Sequence, residues 1–272
     1  MSTTTTASTN VPSVPSVPLT AETSSVIVEK KKTSGWVIFF LIIGIAIAIA
    51  ALVIGIIAFT NSRSSGSSSS GPAIVNLGSA SSFAVLAGSN ITNTGTTVIN
   101  GDLGVSPGSA VSGFPPGVVV GASHINDSTA SQAENDLTKA YNDAANRTSP
   151  IAVSGDLGGQ TFGPGLYRST SNLLIASGDL TLDAQGNGNA VFIFQVASSL
   201  ITNGNIILIN SANPANVFWQ VGSTASIGVN TNFQGSLLAN QNISVGNNAS
   251  VEGRLLTING QVNLSNNIIT RS

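Results

Sequence analysis

From Ala73 onward the chain is built of apolar runs only a few residues long, each cut off by Gly or Asn. Examples are Phe83-Ala84-Val85-Leu86, Ala190-Val191-Phe192-Ile193-Phe194, Ile206-Ile207-Leu208-Ile209 and Val217-Phe218-Trp219. Runs this short suit strands, not helices. The punctuation recurs. Gly-Asp-Leu stands at Gly101, Gly155 and Gly178. Phe194-Gln195-Val196 with Ser198 is echoed by Trp219-Gln220-Val221 with Ser223, and LLANQNISVGNNAS is followed by LLTINGQVNLSNN. Irregular spacings of this kind predict a β-solenoid whose coils stack in parallel, with coils of unequal length. Gly and Asn fit the corners because they tolerate the positive φ that a sharp turn needs.

One segment departs from this texture. Asp127 to Arg147 reads DSTASQAENDLTKAYNDAANR. Its apolar positions, Ala130, Ala133, Leu137, Ala140, Tyr141 and Ala144, fall at helical spacing and form one stripe. Asp127 or Ser128 caps its start, Pro150 stops it, and Asp143 with Arg147 makes an i,i+4 pair. A lone helix must bury its stripe, and the side of the solenoid is the available surface. A stripe that is mostly alanine lets the helix lie close.

These motifs, in order, resemble a known family. The runs NLGSASSFAVLAGSNITNTGTTVINGDLGVSPGSAVSGFPPG, AENDLTKAYNDAANRT, VSGDLGGQTFGPGLY, LTLDAQGNGNAVFIFQV and NVFWQVGS are similar to the ice-binding-protein-like family. The resemblance spans about Ala73 to Thr270. It implies a mainly β fold: an irregular, discontinuous, right-handed β-solenoid of roughly triangular section, with one long α-helix packed alongside.

Ahead of this domain the composition changes. No charged residue lies between Lys32 and Arg63, and Trp36 to Phe59 reads WVIFFLIIGIAIAIAALVIGIIAF. A helix of that length reaches across a hydrocarbon core of about 30 Å at roughly 1.5 Å per residue. The run is about twice the length of a signal-peptide core of roughly 7–15 residues, which favours an uncleaved anchor. Lys30, Lys31 and Lys32 precede it and only Arg63 follows, so the N-terminus is expected on the cytoplasmic side and the C-terminal domain outside, on a cell or a virion. The expected organisation is a disordered Ser/Thr/Pro-rich tail over 1–35, a transmembrane helix over 36–59, a Gly/Ser-rich linker over 60–72 and the solenoid over 73–272. The linker's mean reach is about 20 Å.

Composition narrows the chemistry. Cysteine is absent and His124 is the one histidine, so no usual transition-metal site, thiolate site or Ser-His-Asp triad is expected, and no cofactor. Beyond Pro72, Lys139, Arg147, Arg168, Arg254 and Arg271 form no basic stripe, which argues against nucleic acid. Asp102, Asp156 and Asp179 share the Gly-Asp-Leu context. Carboxylates in that setting are read as acceptors for corner N–H groups rather than as an acid pair for sugar hydrolysis. Sequons stand at Asn90, Asn126, Asn146, Asn242, Asn248 and Asn263.

What remains is a flat array. Parallel coils repeat at about 4.8 Å, so equivalent short side chains form ranks that hold water in register. Threonine suits this best because its methyl and hydroxyl are fixed together at χ1. Active members of the family are similar in carrying Thr-(Ala/Gly)-x-(Thr/Asn) steps. The matching steps here are Thr202-Asn203-Gly204-Asn205, Val229-Asn230-Thr231-Asn232 and Asn247-Asn248-Ala249-Ser250, of which only Thr202 keeps the leading threonine. The resemblance thus implies a non-catalytic protein that binds ice or orders water, and the apolar run over 36–59 adds a tether to a lipid bilayer. The expected ice-binding residues are Thr202, Asn205, Val229, Thr231, Asn232, Asn247 and Ser250. The alternative is a structural or adhesive surface module that binds a glycan or a protein without ice activity.

Overall fold

The computed structural model describes residues 71–272. The tail, the span 36–59 and the linker as far as residue 70 lie outside the described residues. Among the described residues no helix is long and apolar enough to cross a membrane.

The described chain forms three sheets in which every strand pairing is parallel, as the repeats predict. They make three faces. Face a runs through Ile151–Ala152, Gly165–Ser169, Phe192–Val196, Val217–Val221, the second halves of Asn232–Ala239 and Ser250–Thr257, then Phe83–Ala87, Asp102–Val105 and Ser123–Ile125. Face b runs from Gly155–Asp156 through Leu173–Ile175, Leu200–Thr202, Ala225–Ile227, Ile243–Val245, Val262–Ser265 and Asn90–Thr94 to Ala110–Ser112. Face c carries Thr161–Phe162, Leu180–Asp183 and Ile206–Ile209, then the first halves of the two long strands, Ile268–Thr270, Val98–Asn100 and Val118–Val119. The long strands bend from face c to face a at Gly235 and Gly253, both with φ in the region glycine favours.

The stacking order is not the chain order. Phe83–Ala87 lies between Ser250–Thr257 and Asp102–Val105, so the domain's first coil rests on its last. From there the chain builds outward to Ser123–Ile125 at one end. Helix α1 (Ser128–Asn146) then carries it back along face a to Ile151–Ala152 at the other end. Nineteen helical residues rise roughly 28 Å. The eight strand spacings of face a cover about 38 Å, so α1 and its short flanking segments fit that distance.

The central strands of face a are therefore buried on both sides, which is why they read as near-continuous apolar runs. Its outward residues Leu86, Leu166, Ile193, Phe218, Leu238 and Leu256 pack with Ala133, Leu137, Ala140 and Ala144 of α1, the predicted stripe. Its inward residues help fill the lumen. There Tyr167, Phe194 and Trp219 stack with ring centroids 5.0 and 4.2 Å apart, and Phe162 and Phe233 close the two ends of that stack.

Both ends of α1 are satisfied. Asp127 Oδ1 accepts the Ala130 N–H at 2.8 Å, fixing the cap on Asp127. At the other end Gln195 Nε2 donates to the carbonyls of Ala144, Ala145 and Arg147, and the Arg168 guanidinium donates to those of Ala145 and Arg147. A cation there also complements the helix dipole. The Asp143–Arg147 pair forms at 2.6 Å.

Candidate functional site

With face a covered by α1, faces b and c are the sides left exposed. The predicted ice-binding residues lie along the corner between them rather than on a flat face. Thr202 ends the strand Leu200–Thr202 with its side chain fully buried, and Thr231 is 2 % exposed. Neither hydroxyl is accessible, which corrects their expected place in an outward array. The alignment of the steps is corrected as well. Thr202 pairs with Ile227, and Ile227 with Val245, rather than with Val229 and Asn247. Val229 lies two residues beyond Ile227, the registered partner of Thr202, so matching the steps by sequence placed them out of register.

The other five residues do come together, as a corner ladder. Asn205 donates from its N–H and its Nδ2 to Asp179 Oδ1, and its own Oδ1 accepts the Asn232 N–H at 2.9 Å. Asn232 pairs with Ser250 in register. Asn247 Oδ1 accepts from Asn266 Nδ2 at 2.7 Å and from Ser265 Oγ at 3.3 Å. Val229 is 61 % exposed at the rim. Asn230, Asn248 and Asn266 have φ of 58°, 60° and 51°, the left-handed conformation expected of asparagine corners.

The flat array is face b itself, and its pattern is a two-residue step. A polar side chain faces out, an aliphatic one faces in, and a second polar one faces out. The steps are Asn90-Ile91-Thr92, Thr224-Ala225-Ser226, Asn242-Ile243-Ser244 and Gln261-Val262-Asn263, with Ala110-Val111-Ser112 at the edge. Ile91, Ala225, Ile243 and Val262 are buried. Register stacks the second members into one rank, Ser226, Ser244, Asn263, Thr92 and Ser112. The rank continues toward the other end through Ile201 and Leu174 to Asp156. A parallel rank of first members lies two residues upstream, roughly 6.6 Å away along each strand. From Asn172 through to Ser112 no outward residue of face b is charged.

Cross-strand hydrogen bonds tie several of these side chains together. Thr92 Oγ1 donates to Asn263 Oδ1 at 2.7 Å, the Ser199 and Thr224 hydroxyls meet at 3.1 Å, and Asn242 Oδ1 accepts the Gln261 N–H at 3.0 Å. The sequence carried this signal in another form. The sequons at Asn90, Asn242 and Asn263 trace these strands, because Asn and Ser/Thr two residues apart point to the same side.

The Gly-Asp-Leu carboxylates are coil anchors. Asp102 accepts the Ala122 N–H and Asp179 the Asn205 N–H, each from the neighbouring coil. Asp156 accepts from the Ser177 hydroxyl and from the N–H groups of Gly158, Ala176 and Ser177. The Ser177 hydroxyl, followed by the Gly158 and Ala176 N–H groups, holds the Asp156 carboxyl down at about 2. His124 Nδ1 lies 2.8 Å from Asp127 Oδ2, and its ring meets Phe83 edge-on.

A sequence profile of the ice-binding-like family matches residues 85–270. An ice-binding protein of Nostoc sp. (strain HG1) is 40 % identical over 226 residues, covering 82 % of each chain. Among solved structures, an ice-binding protein from an Antarctic biological consortium is 47 % identical with a TM-score of 0.73, covering 74 % of this chain and 92 % of that one. The ice-binding protein of the Antarctic ascomycete Antarctomyces psychrotrophicus is 40 % identical with a TM-score of 0.68, covering 73 % and 98 %.

Proposed function

The chain belongs to the ice-binding-like family, and we propose that it binds ice through face b. The observation that carries this reading is the uncharged double rank held in register over five successive coils, from Thr224-Ser226 to Ala110-Ser112. Adsorption to a crystal needs many weak contacts made at once, so a rigid repeat matters more than any single side chain. Ser226, Ser244 and Thr92 present small hydroxyls, whereas Asn263 and Gln261 present longer amides. Crystal shaping with weak hysteresis is the expected behaviour. Asn205, Val229, Asn232, Asn247 and Ser250 are the rim of this surface, and the buried Thr202 and Thr231 support it from beneath.

The reading extends to the whole chain. The apolar run 36–59, with Lys30 to Lys32 before it, supports a single-pass anchor with the N-terminus inside and the solenoid outside. The protein is then a surface-tethered ice binder.

The test compares residues 71–272 with two lysine variants. The native domain shapes ice crystals and slows recrystallisation. Ser244→Lys, in the centre of face b, abolishes shaping while leaving the unfolding midpoint in place; Val229→Lys, on the rim, reduces it only partly. Unmodified disc-shaped crystals at high protein concentration, or full activity in Ser244→Lys, would sink the assignment to face b.

A further inference from the structure

Where the two long strands run along face c, they border an open cleft of about 280 Å³. Its lining includes Asn232, Gln234, Ser250, Glu252, Ile268 and Thr270. Register explains why these side chains meet. Gln234, Glu252 and Thr270 are direct partners on three neighbouring strands, and Asn232, Ser250 and Ile268 are partners two residues upstream. Residues two apart on a strand point the same way, so the six form two ranks of three on the outer side of the sheet. The ranks lie about 6.6 Å apart along the strands and span about 10 Å across them. That is the footprint of one pyranose ring with its hydroxyls.

The cleft holds more acceptors than donors. Gln234 is only 7 % exposed. Its Nε2 donates to Asn232 Oδ1 at 3.1 Å, but its Oε1 is buried with no donor. Leaving a buried acceptor unpaired is costly, and native structures rarely do so. Glu252 stands next to it in register and is exposed. Among the described residues its carboxylate has neither an ion pair nor a hydrogen bond. Thr270 Oγ1 accepts from Asn100 Nδ2 at 3.1 Å, which leaves its own proton to donate. Ser250 adds a second hydroxyl, and Ile268, 57 % exposed, supplies an aliphatic wall.

We propose that this cleft on face c binds a saccharide, one pyranose unit at a time. Neighbouring sugar hydroxyls donate to the Glu252 carboxylate and to Gln234 Oε1. Sugar oxygens accept from the Ser250 and Thr270 hydroxyls, and the C–H side of the ring lies on Ile268. The bond to the carboxylate is the strongest of the set, because its acceptor is charged. Other small ligands fit less well. A calcium ion takes about six to eight oxygens, and this cleft has one carboxylate. An ammonium group only donates, so it would leave both hydroxyl protons unused. The site uses neither rank of face b, so it stands apart from the ice-binding reading.

Nitrogen-15-labelled full chain in phosphocholine micelles is titrated with the methyl pyranosides of glucose, galactose, mannose and N-acetylglucosamine, and its amide signals are followed by NMR. At least one glycoside shifts the Gln234 side-chain amide and the main-chain amides of Glu252 and Thr270 along a saturating curve, while Ser226 and Ser244 stay in place. Glu252→Gln, at a side chain that holds nothing else in the fold, weakens that binding about tenfold and leaves ice shaping intact. Ser244→Lys leaves glycoside binding unchanged whatever it does to ice shaping, so the two readings fail separately. No shift with any of the four glycosides, shifts confined to face b, or undiminished affinity in Glu252→Gln overturns the site. Shifts at Glu252 and Gln234 with calcium chloride or butylamine, and with no glycoside, would make it a cation site and overturn the saccharide reading.

Discussion

Glu134 is the least accommodated side chain of α1. Neither of its carboxylate oxygens reaches solvent or finds a hydrogen-bond partner, and burial pushes the group from 4.5 up to about 9. The folded chain therefore keeps a proton on Glu134 through a pH range in which the unfolded chain has lost it. Stability is greatest below the unfolded value and falls as pH rises toward 9, by up to about 1.4 kcal/mol per pH unit. Between pH 5.5 and 8 the loss is about 3 kcal/mol. Glu134→Gln keeps the shape and removes the charge, so its stability should be flat against pH from this source. It should match the native domain to within about 1–2 kcal/mol at pH 5.5 and exceed it by several kcal/mol at pH 8. Urea unfolding of residues 71–272 and the variant across this range measures the difference, and every other titrating group is common to both. Parallel stability–pH curves for the two proteins would refute the argument, because they would mean that Glu134 ionises in the fold as freely as in the unfolded chain.

Leu137 is fully buried under α1, and Leu137→Ala should cost about 2–5 kcal/mol; Lys139→Ala, two residues away with its side chain 73 % exposed, should change stability by less than about 0.5 kcal/mol in the same unfolding assay. Gln195→Leu removes the amide that binds three carbonyls at the end of α1 and should cost about 1–3 kcal/mol, with faster amide exchange in the last turn of the helix. Asn248→Ala should cost about 1–2 kcal/mol at its left-handed corner, whereas Asn248→Gly should be nearly neutral by thermal unfolding.

The repeats were legible because registered residues must satisfy the same neighbours. Gln195 and Gln220, noticed as an echo 25 residues apart, are direct partners on face a, and Leu237-Leu238 pair with Leu255-Leu256. The helical stripe was legible for the same reason, since only one side of α1 can be buried. The ice-binding steps were not, because turn length is invisible to a motif. Val229 lies two residues beyond Ile227, the registered partner of Thr202, so a threonine inside the coil was matched to a valine on the rim. The closure of the domain was equally hidden. Nothing local marks Phe83–Ala87 as the neighbour of Ser250–Thr257, since that contact joins segments some 170 residues apart.

That closure explains how a chain of unequal coils keeps one face regular. Face a is held flat by α1, which lies across it as a splint. Face c absorbs the irregularity: its strands differ in length, two of them bend into face a, and bulky Ile207, Ile209 and Ile268 stand out from it. Face b is left with short strands of nearly uniform length. From Ala225–Ile227 through Asn90–Thr94, each turns its inward aliphatic residues to the lumen and its outward polar residues to solvent. The first coil, laid on the last, extends this pattern through Asn90-Ile91-Thr92 and Ala110-Val111-Ser112 without a break in register. A solenoid wound in simple chain order would keep Phe83–Ala87 away from Ser250–Thr257, and the rank from Ser226 to Ser112 would be cut after Asn263. The discontinuity of the fold is what makes the array long enough to act as a surface.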